Sequence, residues 1–128
     1  MGIEALSRGA KSAVFVDNSK ASVAVTKTNI ESVGFEDISK VYHMDSLDYL
    51  KKCAVGFDLV FADPPYNKGL ALASLELLDR NVNNNGKVII EHEPELKMPE
   101  AFGWLVLKRN YRYGKVNISL YEKCKEEE

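Results

Sequence analysis

The residues of this chain best suited to chemistry stand together at Asp63-Pro64-Pro65-Tyr66, directly after the apolar run Leu59 to Ala62. Two prolines fix two φ angles, and the residue before each is held extended. The backbone there is stiff, and neither proline carries an N–H to compete for an acceptor. Asp63 and the Pro64 carbonyl can together accept both hydrogens of one planar NH₂ group. Tyr66 offers a flat apolar face to a planar base. That combination is a clamp for an exocyclic amine. The plainer alternative is a rigid loop exit with a tyrosine packed on the core. Placement at the end of a strand-like run favours the clamp, because open α/β sheets bind ligands at the carboxyl ends of their strands.

Two more acids stand where strand-like runs end. Asp17 closes "SAVFVD", and Asp45 follows "KVYHM". A single acid in such a place is most often a helix cap. Three on one rim, the last followed by Pro-Pro-Tyr, are harder to explain that way. His43 and His92 are isolated and read as structural. Cys53 and Cys124 lie far apart, in no metal-ligand spacing, so neither a metal site nor a disulfide framework is read from them.

The elements that would position these acids alternate. "GIEALSRGA" reads as a short helix stopped at Gly9, and "SAVFVD" (12–17) as a buried strand. "NSKASVAVTKTNIESVG" (18–34) reads as a helix between good N-caps and Gly34, with Ala21, Val25, Thr28 and Ser32 approximating one face. "KVYHM" (40–44) is a strand, and "DSLDYLKKC" a short helix capped by Asp45 or Ser46. "FDLVFAD" (57–63) is the most strand-like run of all, "LALASLELLDR" (70–80) a helix and "NVNNNG" (81–86) a turn. "KVIIEHE" (87–93), "WLVLKRNYRYG" (104–114) and "KVNISLYEK" (115–123) read as strands, the last two as a hairpin across Gly114. Such alternation implies an α/β domain, mostly parallel, closed by an antiparallel hairpin.

The 128 residues suffice for one domain with a real core, taken here as 1–128, and the 45% apolar content argues against disorder. A net charge of −2 gives no global signature of nucleic-acid binding, which leaves room for a local basic patch. No apolar run approaches the length of a membrane span, and the first residues carry no secretory signal pattern, so a cytoplasmic protein is expected.

"FDLVFADPPY" resembles motif IV of class I S-adenosylmethionine-dependent amino-methyltransferases. "GIEALSRGAKSAVFVDNS" resembles the segment that follows the glycine loop in bacterial small-subunit rRNA guanine-N2 methyltransferases, and "KRNYRYGKVNISLYE" that family's closing hairpin. The resemblance covers nearly the whole chain. It implies the class I Rossmann-like fold, S-adenosylmethionine as cofactor, and 16S small-subunit rRNA or a ribosomal particle as partner. By position it implies that Asp17, with Asn18, holds the cofactor ribose, and that Asp45, with Ser46, meets the adenine. Asp63 and Pro64 then hold the target guanine amine and Tyr66 stacks on its base. Gly2 matches the last glycine of the loop. Lys68, Lys108, Arg109, Arg112 and Lys115 become candidates for RNA phosphates, beside the reading of ordinary solvated strand residues.

The family pattern also places a strand and a Gly-x-Gly-x-x-Gly loop ahead of "IEALSRGA", of which only Gly2 is matched here. The interval to Asp17 is kept. The first strand is therefore expected to be missing, cofactor binding to be weak, and the resemblance to imply ancestry rather than activity by these residues alone. The strands ending at Asp17 and Asp63 would flank the missing one, and such open edges favour pairing between copies in a homo-oligomer. Two other readings stand beside the first. The same tetrapeptide serves DNA adenine-N6 methyltransferases, which usually add a target-recognition domain. Alternatively, the chain is an inert binding module that keeps the fold.

Overall fold

The computed structural model describes residues 2–52, 56–63, 70–92 and 97–124. The chain divides into two compact units, Met1–Lys52 and Cys53–Glu128.

The first unit runs α1 (Gly2–Ser7), β1 (Ala13–Asp17), α2 (Lys20–Val33), a 3-10 turn at Glu36–Ile38, β2 (Ser39–His43) and α3 (Ser46–Lys52). β1 and β2 are parallel, with Asp17 opposite His43. α2 has the ends its sequence specifies. The Ser19 hydroxyl accepts from the Ser22 N–H at 3.3 Å, and Gly34 closes the helix at φ 78°, a left-handed value natural to glycine. Its buried face differs from the expected Ala21–Val25–Thr28–Ser32 line. Val23 and Ile30 are the buried residues, and Val25 is 59% exposed. Thr28 and Ser32 turn their hydroxyls back onto the carbonyls of Ala24 and Thr28, which satisfies them within the helix rather than in a core. α1 lies so close to β1 that a Cβ on Gly2 would overlap the Phe15 ring.

The second unit runs β3 (Phe57–Ala62), α4 (Leu70–Asn81), β4 (Val82–His92), β5 (Ala101–Phe102), β6 (Leu105–Tyr113) and β7 (Val116–Lys123). Its sheet has the order β3-β4-β7-β6-β5. β3 and β4 are parallel, and the remaining neighbours are antiparallel. The expected hairpin is β6–β7, turning at Gly114 with φ 60°. α4 buries Ala71, Leu75, Leu77 and Leu78, at helical spacing, in one core with Val88, Ile90, Leu105 and Tyr121. Each large apolar side chain removed from water there contributes about 1.5–3 kcal/mol. Asp79 fastens the end of α4, its carboxylate accepting the Trp104 N–H at 2.8 Å and its carbonyl the buried Lys123 ammonium at 2.6 Å.

Two further features depart from the sequence reading. Residues 82–86, read as a turn, belong to β4. Asn81 completes α4, Val82 pairs with Phe57, and the strand then shifts register. Asn85 absorbs the kink at φ 67°, and Gly86 is hemmed in by Val82, the Asn83 carbonyl and the Phe57 carbonyl, where a side chain has no room. The two-residue β5 had no signal of its own. The α/β class and the closing hairpin are as the sequence implies. The strands expected to flank a missing neighbour, β1 and β3, each have one hydrogen-bonded partner among the described residues. No described helix is long and apolar enough to cross a membrane.

Candidate active site

In the first unit, parallel pairing brings two of the expected acids to one rim. Asp17 ends β1, and Asp45 lies two residues beyond its cross-strand partner His43. Asp17 Oδ1 accepts the Ser19 N–H at 2.8 Å, an Asx turn that fixes the carboxylate, and the Asp17 carbonyl accepts the Met44 N–H at 2.9 Å. The second oxygen, Oδ2, has no partner among the described residues. Asp45 caps α3, its Oδ2 accepting the Asp48 N–H at 3.1 Å. Asn18 and Ser46 are exposed beside these acids, and the Asn18 carbonyl faces His43 Nε2 at 3.1 Å. Gly2 is placed for close packing of α1 on β1, the job of the third glycine in such a loop. Glu4, on α1, pairs with Arg8 at 2.7 Å on the surface.

In the second unit, Asp63 leaves β3 at its carboxyl end and is exposed. Ala62 pairs with Ile90, so the next residues along the two parallel strands, Asp63 and Glu91, stand side by side. A hydrogen bond from Glu91 to Asp63 raises the pKa of Glu91, with partial burial and the negative charge of Asp63 acting in the same direction. Sequence reading missed Glu91. The available signal was its place at the end of the next strand, legible only once the register was known.

The raised value has a consequence for stability. The folded chain holds the Glu91 proton to higher pH than the unfolded chain does. The stabilisation is therefore complete below the ordinary 4.5 and is lost as pH rises through the raised value. Above that raised value the second charge is a burden. Glu91→Gln, whose amide can donate to Asp63, is expected to raise the melting temperature at a pH above that value and leave it nearly unchanged below 4.5. An equal shift at both pH values would show that the two carboxyls do not interact.

The candidate RNA contacts Lys108, Arg109, Arg112 and Lys115 are all exposed on β6 and the turn after it. None has an ion-pair partner among the described residues. Lys108 is the extra residue of a bulge between Leu107 and Arg109. His92 is buried, its Nε2 2.7 Å from the Ser119 hydroxyl, which also accepts from Asn110 at 2.9 Å, in keeping with a structural role. Pro64, Tyr66, Lys68 and Cys53 lie outside the described residues.

Comparison with known proteins places this geometry in a family. The family model described as Conserved hypothetical protein 95 matches residues 1–122. The chain is 34% identical to YlbH of Bacillus subtilis, a candidate rRNA methyltransferase by name, over 96% of this chain and 70% of that protein. It is 32% identical to ribosomal RNA small subunit methyltransferase D of Haemophilus influenzae, over 95% of this chain and 65% of that protein. It thus spans about two thirds of the length of these relatives. The crystal structure of a candidate methylase from Haemophilus influenzae superposes with a TM-score of 0.84 at 31% identity, over 97% of this chain and 80% of that one. The chain belongs to the Conserved hypothetical protein 95 family, alongside small-subunit rRNA methyltransferases.

Proposed function

We infer that residues 1–128 form a methyltransferase domain that acts with S-adenosylmethionine on the exocyclic amine of a guanine in small-subunit rRNA. The observation that carries this reading is the position of Asp63, exposed at the carboxyl end of a parallel strand and leading the Pro-Pro-Tyr sequence. Its relatives' names supply the substrate class.

The residues of the first unit fit the adenosine part of the cofactor. Asp17 Oδ2 is free to accept from ribose hydroxyls, with Asn18 beside it. Asp45 Oδ1 can accept from the adenine amino group, with Ser46 next to it. When bound, S-adenosylmethionine supplies a methyl group on a sulfonium, already activated for attack. What the chain must supply is a competent nucleophile. The guanine amine is a poor one, because its lone pair is delocalised into the ring. Asp63, with the Pro64 carbonyl, would accept the two N–H hydrogens and favour a pyramidal nitrogen whose lone pair is available. Asp63 also stands ready to take the proton released as the new bond forms. Tyr66 would hold the flipped base flat, and the base must leave its stack to reach the acid.

Incubation of the chain, preceded by a relative's strand and glycine loop, with labelled S-adenosylmethionine and small-subunit rRNA, followed by nucleoside analysis, is expected to yield N2-methylguanosine. Label in adenosine, or in DNA instead of RNA, would overturn the reading. The cofactor half can be tested separately. Asp17→Ala removes a charged acceptor, which costs about 1.5–3 kcal/mol. Affinity for S-adenosylhomocysteine measured by calorimetry is expected to fall at least tenfold relative to the unmodified chain. Equal affinity would place the ribose elsewhere.

A further inference from the structure

One of two tyrosines on β6, Tyr111, stands in register with the acid pair. Glu91 is opposite Ile118 on β7, and Ile118 is opposite Tyr111 on β6. Directly opposed residues share a sheet face, so Asp63, Glu91, Ile118 and Tyr111 form one row across that face. Three strand spacings put Tyr111 about 14 Å from Asp63 along the row. Arg109, Tyr111 and Tyr113 alternate along β6, so all three project from this same face. β6 runs in the same direction as β3 and β4, which puts Tyr113, Gly114 and Lys115 at the sheet rim where Asp63 lies.

The rings of Tyr111 and Tyr113 are nearly parallel, with an interplanar angle of 12° and centroids 6.4 Å apart. That separation is close to twice the ~3.4 Å rise between stacked bases. Tyr113 is 64% exposed, a large apolar surface for a tyrosine to leave in water. Cations stand at both ends of the pair. Arg109 precedes it on the same face and Lys115 follows Tyr113 in the turn, whereas Arg112, between the two tyrosines, projects from the opposite face. A shallow groove lined by Glu100, Val106, Lys108 and Arg109 lies at the other end of the stripe.

We propose that Tyr111 and Tyr113 form an aromatic clamp that takes one unpaired base of single-stranded RNA, with Arg109 and Lys115 on its phosphates, on the same strand as the nucleotide presented to Asp63. The clamp rests on the RNA reading above and deepens it. Aromatic faces interleaved with cations recognise single strands without regard to sequence, because every base has a π-face and every nucleotide a phosphate. The clamp therefore supplies position, holding the strand while the target base is turned into the acid, and leaves the choice of base to Asp63 and its neighbours. A protein partner would be an alternative cover for exposed tyrosines. The unpaired cations around them favour the polyanion.

The test is direct binding of a short, mixed-sequence single-stranded RNA to the full chain by fluorescence anisotropy, which needs no methyl transfer. Tyr113→Ala is expected to weaken binding about tenfold or more, as loss of one stacked base does, with the slope of log affinity against log salt unchanged. Tyr113→Trp is expected to retain affinity, and RNA is expected to quench its emission beyond any quenching of Trp104 alone. Arg109→Gln is expected to reduce the salt slope by about 0.7, the value for one phosphate contact on a single strand. If the unmodified chain binds no RNA, both the clamp and the RNA reading fall. If it binds RNA and Tyr113→Ala binds equally well, the clamp alone falls and the tyrosines belong to another partner. A Tyr113→Trp variant as weak as Tyr113→Ala would also overturn stacking.

Discussion

Replacing Asp63 by alanine, in a chain preceded by a relative's strand and glycine loop, is expected to lower single-turnover methylation of small-subunit rRNA by about 10² to 10³, the usual cost of removing one preorganised group aimed at charge that develops in the transition state. Cofactor affinity should stay within a few-fold, because the acids assigned to the adenosine, Asp17 and Asp45, are on other strands. Asp63→Asn separates two parts of the effect. It keeps an oxygen acceptor but presents an NH₂ in place of the second oxygen and cannot take a proton, so it should recover little of the loss. A second readout is independent of turnover. Glu91 holds its proton tightly because of Asp63, through a hydrogen bond first and charge last. In Asp63→Ala the Glu91 carboxyl should return toward the ordinary carboxylate range, as followed by ¹³C NMR titration of its side chain. Near-normal turnover in Asp63→Ala would remove the amine clamp. An unmoved Glu91 titration would remove the pair.

Legibility in the sequence followed how local each determinant is. The strand-end positions of Asp17 and Asp63 were readable because each ends a short apolar run. α4 was readable because its buried residues recur at helical spacing over three turns. Where the determinant was non-local, the reading failed. The polar run at 82–86 has turn composition, yet Val82 pairs with Phe57, and pairing overrode local preference. In α2 the periodicity was split between two weak faces. Only packing could choose Val23 and Ile30, because Thr28 and Ser32 solved their polarity within the helix. Gly2 was placed at the cofactor by its match to a motif, and its surroundings show the packing half of that motif. Glu91 and the tyrosine pair were invisible for one reason. Both acquire meaning from cross-strand register, Glu91 beside Asp63 and Tyr111 in the row beyond it, and register is not written in any single strand.

The largest expected loss of stability comes from Tyr121, near the end of β7. It is fully buried, paired with Val88 on one side and Leu107 on the other, and its hydroxyl donates to the Pro99 carbonyl at 2.5 Å. Tyr121→Ala deletes the ring from the middle of the sheet's packed face and should cost about 3–5 kcal/mol in denaturant unfolding, as truncation of a buried aromatic does. That is a large part of the stability of an ordinary domain. Tyr121→Phe keeps the ring and loses one hydrogen bond, about 1 kcal/mol. The two variants diverge further in alkali. Burial raises the phenol from 10.0 to about 12. A phenol that holds its proton more tightly when folded contributes fully below pH 10, and that contribution is lost as pH rises toward 12. Two pKa units correspond to roughly 3 kcal/mol. Unmodified protein should therefore lose stability faster than Tyr121→Phe across that interval, so that the phenylalanine variant, weaker at neutral pH, becomes the more stable of the two in alkali. Parallel pH profiles would mean that the Tyr121 hydroxyl reaches water, and the ring would then contribute volume to the core without the buried hydrogen bond.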